Sequence, residues 1–190
     1  MDTTKPYFVI TGPSAVGKTA ITKGVLALGL PVAKVVTTTT RAPRADEVEG
    51  VSYHFVSRPE FESLISRDQM FEWAEYAGNF YGSQHRDVDG ILAAGQSPLW
   101  VVDVTGADAL KSRYPSTYVI FLMPGAFDIL RRRLEKRGMA ENEIRRRLAI
   151  ARDELVQAPR FDVRVINYDG QMPKIIDEVA GLIRRRIQAQ

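Results

Sequence analysis

The residues Gly12-Pro13-Ser14-Ala15-Val16-Gly17-Lys18-Thr19 fit the pattern G-x-x-x-x-G-K-[ST] at every position. They follow the apolar run Tyr7-Phe8-Val9-Ile10-Thr11 and precede a helical pattern from Thr19 to Leu28, the strand–loop–helix context that such a motif requires. Glycines let the main chain wrap closely around phosphate oxygens, presenting N–H donors at the positive end of a helix dipole. Lys18 is suited to bridge β- and γ-phosphates, and the Thr19 hydroxyl to ligate Mg²⁺. Such a loop specifies a phosphoryl donor. It says nothing of the acceptor.

Acceptor chemistry is sought further along the chain. Thr37-Thr38-Thr39-Thr40-Arg41-Ala42-Pro43-Arg44 puts two arginines three residues apart beside a row of hydroxyls. Guanidinium groups bind phosphate bidentately, and two of them would hold and partly neutralise a dianion. Taken alone, the pair reads equally well as a solvated basic loop. Tyr53, Tyr81 and Ser83 add hydroxyl donors, while Glu72 and Asp103 offer acceptors. A carboxylate can accept N1–H and N2–H₂ of guanine together. Each acid also has a plain alternative, Glu72 as a solvent-facing strand residue and Asp103 as the end of a strand.

Between Arg131 and Arg164 stand eleven Lys or Arg against six acids, an excess that flanks Gly138. Phosphoryl transfer needs positioning and charge neutralisation more than covalent help, and a basic lid that closes over the site supplies both while excluding water. Arg132, Arg145 and Arg146 read as solvated helix faces, and Arg184-Arg185-Arg186 as a helix end favoured by the dipole.

The elements that must hold these groups alternate. Strand-like runs at 7–11, 31–37, 99–104, 118–123 and 163–167 are separated by helical patterns at 19–28, 107–113, 126–136, 143–158 and 174–187, with Gly29 at a C-cap position. Strands alternating with helices imply a parallel sheet covered on both faces. The stretch from Thr38 to Pro98 breaks that rhythm with short strand candidates at 53–56, 71–74 and 79–83. A capping box at Ser57-Arg58-Pro59-Glu60 opens a short helix. The expected organisation is one domain: a core of 1–37, 98–136 and 159–190, an inserted acceptor-binding subdomain at 38–97, and a small helical lid at 137–158. Trp73 and Trp100 read as packing residues.

The 190 residues include 45% hydrophobic and 26% charged side chains, ordinary for a soluble globular domain. With no cysteine, disulfides and thiolate metal sites are excluded, and His54 and His85 are not spaced as helical metal ligands. A net charge of +3 is too mild to argue for nucleic-acid binding. No apolar run approaches the roughly 20 residues that span a bilayer, and the start lacks a signal-peptide core. A cytoplasmic location is the default expectation, with no nucleic-acid or membrane partner.

Over nearly its whole length the sequence resembles the guanylate kinase family. The matching stretches are GPSAVGKT, TTTTRAPRADEVEGVSYHFVS, FEWAEYAGNFYGS, LEKRG, RRRLAIARDEL and VIN. The resemblance implies an α/β fold of the P-loop NTPase type: a parallel five-stranded core, flanking helices, an inserted GMP-binding subdomain and a small mobile helical lid. It implies that Arg41, Arg44, Tyr53 and Tyr81 hold the GMP phosphate, and that Thr37, Glu72, Ser83 and Asp103 read the base. It further implies that Arg137 and Arg147 act with Lys18 on the transferring group, that Asn167 lies at the adenine site, and that ATP, Mg²⁺ and GMP are used. Transfer to dGMP is also expected, since no residue identified depends on the 2′-hydroxyl. The chain would act as a monomer or homodimer.

Some positions depart from the family pattern. Val101 stands where an acid is usual, Thr105 where glutamine is, Asp46 and Ala15 where glycine is common, and Tyr168 where an acid follows the asparagine. Val101 cannot help order Mg²⁺ and its waters. A related ribose 1,5-bisphosphate phosphokinase is a second reading, against which Glu72, Ser83 and Asp103 argue. A non-catalytic phosphopeptide-binding module is a third, against which the intact Gly17-Lys18-Thr19 argues.

Overall fold

The computed structural model describes residues 5–45, 47–76 and 78–189. Asp46, noted above, lies outside the described residues. Strand β1 (Phe8–Thr11) is the middle of a five-stranded sheet whose other members are β2 (Val32–Lys34), β7 (Ser97–Val101), β8 (Tyr118–Pro124) and β9 (Val163–Asn167). The order is β2-β7-β1-β8-β9 and every pairing is parallel. Residues on alternate sides of these strands enter different cores, as a period of two requires. Phe8, Ile10, Leu99, Ile120 and Leu122 pack with Ile21 and Val25 of α1 (Lys18–Ala27) and Ile175, Val179 and Ile183 of α7 (Met172–Gln188). Tyr7, Val9, Trp100, Val119 and Phe121 pack on the opposite face with Val88 of α3 (His85–Ala93) and Ala107 and Leu110 of α4 (Val104–Arg113). Burial on both faces is why the central strands read as continuous apolar runs.

A second sheet of four strands has the order β4-β3-β6-β5. It comprises β3 (Thr38–Thr39), β4 (His54–Phe55), β5 (Met70–Tyr76) and β6 (Asn79–Gln84). Helix α2 (Arg58–Ser66) packs Phe61 on Phe80 and Met70 of that sheet. Its capping box is formed as expected. Glu60 N–H donates to Ser57 Oγ at 3.4 Å, and Ser57 N–H donates to Glu60 Oε2 at 2.7 Å. The two sheets are joined through aromatic rings: Phe71 on β5 stacks on Tyr114 at 4.4 Å and on Trp100 of β7 at 5.7 Å between centroids. The basic segment forms α5 (Asp128–Lys136) and α6 (Glu141–Gln157), turning at Gly138 with φ of 71°; a 3-10 turn at Ala158–Arg160 leads to β9. Among the described residues no helix is long and apolar enough to cross a membrane.

Three expectations shift. The strand expected over 31–37 stops at Lys34, and the chain crosses to the second sheet at Thr38. Four consecutive β-branched threonines hide that change of sheet, because both sides favour extended backbone. The strand expected to reach Val104 stops at Val101, since Asp103 accepts from Gly106 N–H at 2.8 Å and starts α4 there. Helix α3 was not foreseen: no side chain caps its start and Gly90 lies inside it, so the start signal is missing and helix propensity is lowered.

The turn from β1 into the phosphate-type loop depends on Gly12, whose φ is 131°. A Cβ there would overlap the main-chain carbonyl oxygen of Leu122 on β8. Gly12→Ala should therefore cost about 3 kcal/mol through overlap and backbone strain together. Thermal unfolding checks this, and a midpoint unchanged from the parent would contradict it.

Candidate active site

Helix α1 begins at Gly17, which has φ of 110°, and no side chain among the described residues caps it. Its first N–H groups are thus left for an anion, at the end where the dipole favours one. Ala15 holds a left-handed φ of 64°, a conformation glycine adopts freely and alanine at a cost of roughly 1 kcal/mol. Its methyl group packs against Leu134 and Ile144, tying the loop to α5 and α6. Lys18 Nζ donates to the loop carbonyls of Gly12 at 2.5 Å and Pro13 at 3.1 Å. Burial lowers the Lys18 pKa, opposed by the nearby carboxylates of Glu154 and Asp103.

The loop is braced from behind. Val16 carbonyl accepts from Asn167 Nδ2 at 2.7 Å and from Arg133 Nη1 at 3.0 Å. Arg133 also donates to Ala15 carbonyl at 3.1 Å and to Asp169 Oδ1 at 2.5 Å. Asn167 is fully buried at the end of β9, so its side chain meets the loop itself. Tyr168 is largely exposed, and Asp169, one residue on, supplies the acid that orients Arg133.

A cavity of about 440 Å³ runs from this loop towards the second sheet. It is lined on the loop side by Pro13, Ser14, Ala15, Gly17, Lys18 and Thr19. On the other side stand Thr37, Arg41, Arg44, Tyr53, Glu72 and Tyr81, with Asp103, Arg137 and Arg147 closing it. Gly12, Val16, Asn167 and Ser83 do not line it; they lie behind residues that do. Ser83 is fully buried, donates to Glu72 Oε1 at 2.8 Å and accepts from Trp100 Nε1 at 2.7 Å. Burial pushes the Glu72 carboxyl up to about 7, offset in part by its hydrogen bonds from Ser83. Glu72 is therefore no solvent-facing strand residue.

The arginine pair is organised by an acid that sequence reading passed over. Arg41 Nη2 donates to both carboxylate oxygens of Glu47, at 2.8 and 2.9 Å, and Arg44 N–H donates to Glu47 Oε2 at 2.8 Å. Arg41 also lies 5.4 Å from the Tyr53 ring, whose hydroxyl is held neutral by burial. A carboxylate bound between two arginines occupies the kind of place that suits a phosphate. From α6, Arg147 Nη1 donates to Ser14 Oγ at 3.2 Å and Nε to Glu143 Oε1 at 2.7 Å.

Tyr76 and Glu154 line the cavity and were not singled out from sequence, and the two tryptophans read there as packing residues part ways. Trp100 is core packing, as expected, yet its indole N–H also fixes Ser83; a buried tryptophan needs such a partner. Trp73, by contrast, is 44% exposed and touches Phe80 edge-on. Tyr76 lines the cavity with its pKa pushed up to about 12 by burial, Glu154 and Asp103. Glu154 lies seven residues beyond Arg147 on α6, the same helix face, and burial pushes its carboxyl up to about 7. That spacing was the available signal.

A family model described as guanylate kinase matches residues 3–186. The guanylate kinase of Synechocystis sp. (strain ATCC 27184 / PCC 6803 / Kazusa) is 41% identical over 162 residues, covering 85% of this chain and 85% of that protein. That of Thermobifida fusca (strain YX) is 39% identical over 183 residues, covering 96% and 92% respectively. Among solved structures, the guanylate kinase from Anaplasma phagocytophilum matches with a TM-score of 0.76 at 28% identity, over 95% of this chain and 85% of that one. Fold, loop and relatives agree: the chain belongs to the guanylate kinase family.

Proposed function

We propose that this chain transfers the γ-phosphoryl group of ATP to GMP, and to dGMP, giving ADP and GDP by direct in-line transfer. One observation carries the reading: a single cavity joins an uncapped, lysine-bearing helix start to a buried carboxylate suited to a guanine edge. The donor phosphates would lie in the loop from Gly12 to Thr19 on its free main-chain N–H groups, with Lys18 swinging from its carbonyl partners to the triphosphate. The oxygen donors at this end suit a hard cation, and Thr19 would hold Mg²⁺. When bound with ATP, that ion supplies positive charge across the triphosphate.

The acceptor would use residues 38–97, with Arg41, Arg44, Tyr53 and Tyr81 on its phosphate. Glu72 would accept from the guanine edge beside Thr37 and Asp103, with Ser83 orienting the Glu72 carboxylate. Residues 137–158 would serve as the lid, and Arg137 and Arg147 would neutralise the transferring group and exclude water. Asn167 would serve ATP through the loop it braces. Nothing in this scheme calls for a nucleic acid or a membrane, and a monomer is sufficient, because every group named comes from one chain.

An ADP-release assay with Mg-ATP against GMP, dGMP, AMP, UMP and ribose 1,5-bisphosphate tests the assignment. Turnover of GMP and dGMP is expected; turnover of another acceptor with none of GMP would sink it. Lys18→Ala should lower kcat by roughly 100-fold or more, with the fold intact by circular dichroism.

Glu72→Gln should raise KM for GMP by roughly tenfold or more while ATP binding persists, because one of two acceptors for the guanine edge is lost. The same variant has a pH signature. A carboxyl raised from its ordinary 4.5 to about 7 in the fold binds more protons folded than unfolded across that window, so its cost to stability grows as pH rises through it. The melting advantage of Glu72→Gln over the parent should therefore widen between about pH 5 and pH 8. A constant difference across that range would show that the buried charge is not what the fold tolerates.

A further inference from the structure

We infer that Glu154, on the basic helix that faces the loop, is a positioning residue for the Mg²⁺ that accompanies ATP, supplying an acceptor that β7 does not. The inference rests on the Mg-ATP donor reading above. Glu154 is 7% exposed, yet it lines the cavity beside Lys18 and Asp103. Its surroundings act on it only through burial and through those two charges; among the described residues it accepts no hydrogen bond and joins no ion pair. The other two carboxylates that line the cavity are engaged. Glu72 is held by Ser83, and Asp103 by the amide of Gly106.

An unpaired buried carboxylate is costly, so its persistence points to a partner brought by a ligand. The cation that acts on it is Lys18, whose strongest attraction is to Glu154 and whose next is to Asp103. Once Lys18 turns to the phosphates, those two acids face each other with less countercharge between them. A hydrated divalent cation restores it. Mg²⁺ keeps several waters and is held by one or two carboxylates together with phosphate oxygens, which matches this set. On β7 the side chain reaching the same cavity is Val101, which has no oxygen to offer. Glu154 sits seven residues from Arg147, so one helix face carries both the charge for the transferring group and the acceptor for the metal's waters.

The test is calorimetric titration of ATP, without acceptor, in Mg²⁺ and in EDTA. The parent chain should bind ATP more tightly with Mg²⁺, and Glu154→Gln should lose roughly tenfold or more of that metal-dependent gain, as outer-shell substitutions do. Metal-free ATP affinity should hold or improve. Val101→Asp added to Glu154→Gln should return the gain. The inference is overturned if Glu154→Gln keeps the full gain, if affinity falls equally with and without metal, or if the added aspartate restores nothing. Leaving GMP out separates the two readings: a parent that gains ATP affinity with Mg²⁺ but fails to phosphorylate GMP refutes the acceptor assignment alone.

Discussion

The carbonyl of Val16 accepts hydrogen bonds from both Asn167 and Arg133, and on that pair rests the geometry of the site. A loop that is to hold phosphates must leave its amides free at the front, so it cannot be stabilised there by its own side chains. Here it is held from the back. Asn167 comes from the end of the edge strand β9 and Arg133 from α5, itself aligned by Asp169. The cost is visible: Asn167 Oδ1 is buried with no partner among the described residues, and Ala15 keeps a left-handed backbone. Strain of this kind persists where surrounding structure over-determines it.

The second joint lies between the sheets. Phe71, Tyr114 and Trp100 stack where β5 meets the core, and the indole N–H of Trp100 reaches Ser83, which in turn holds Glu72. A core ring thereby sets the direction of a carboxylate that faces the cavity. Burial penalises the charged form of Glu72, so a ligand with matching donors would offset that cost. Specificity through a buried polar group is strong for this reason: a ligand lacking matching donors leaves the group unsatisfied.

Much of this was legible in the residues alone. The loop, its flanking strand and helix, the parallel sheet and the capping box at Ser57 each follow from local chemistry that no tertiary context overrides. The change of sheet at Thr38 was not legible, since β-branched residues favour extended backbone on either side of it. Helix α3 escaped because no capping side chain marks its start and a glycine lies inside it. Most residues marked through a motif line the cavity, whereas those that hold them in place carried no motif to mark them. Glu47, Arg133 and Trp100 act on groups that the fold brings to them, and only the assembled chain shows the pairing. Val101 was marked from sequence, but Glu154, an acid that lines the same cavity, belongs to a helix more than fifty residues away.

The account stands on donor and acceptor sharing one cavity, with the basic helix over both. The most direct measurement is the affinity of adenosine and guanosine joined through a polyphosphate chain, by calorimetric titration against ATP and GMP separately. A ligand spanning both subsites gains effective concentration, so it should bind roughly 100-fold more tightly than the better of the two nucleotides. An affinity no greater than that of ATP alone would mean that the two subsites are not held within one reach, and the account would fall.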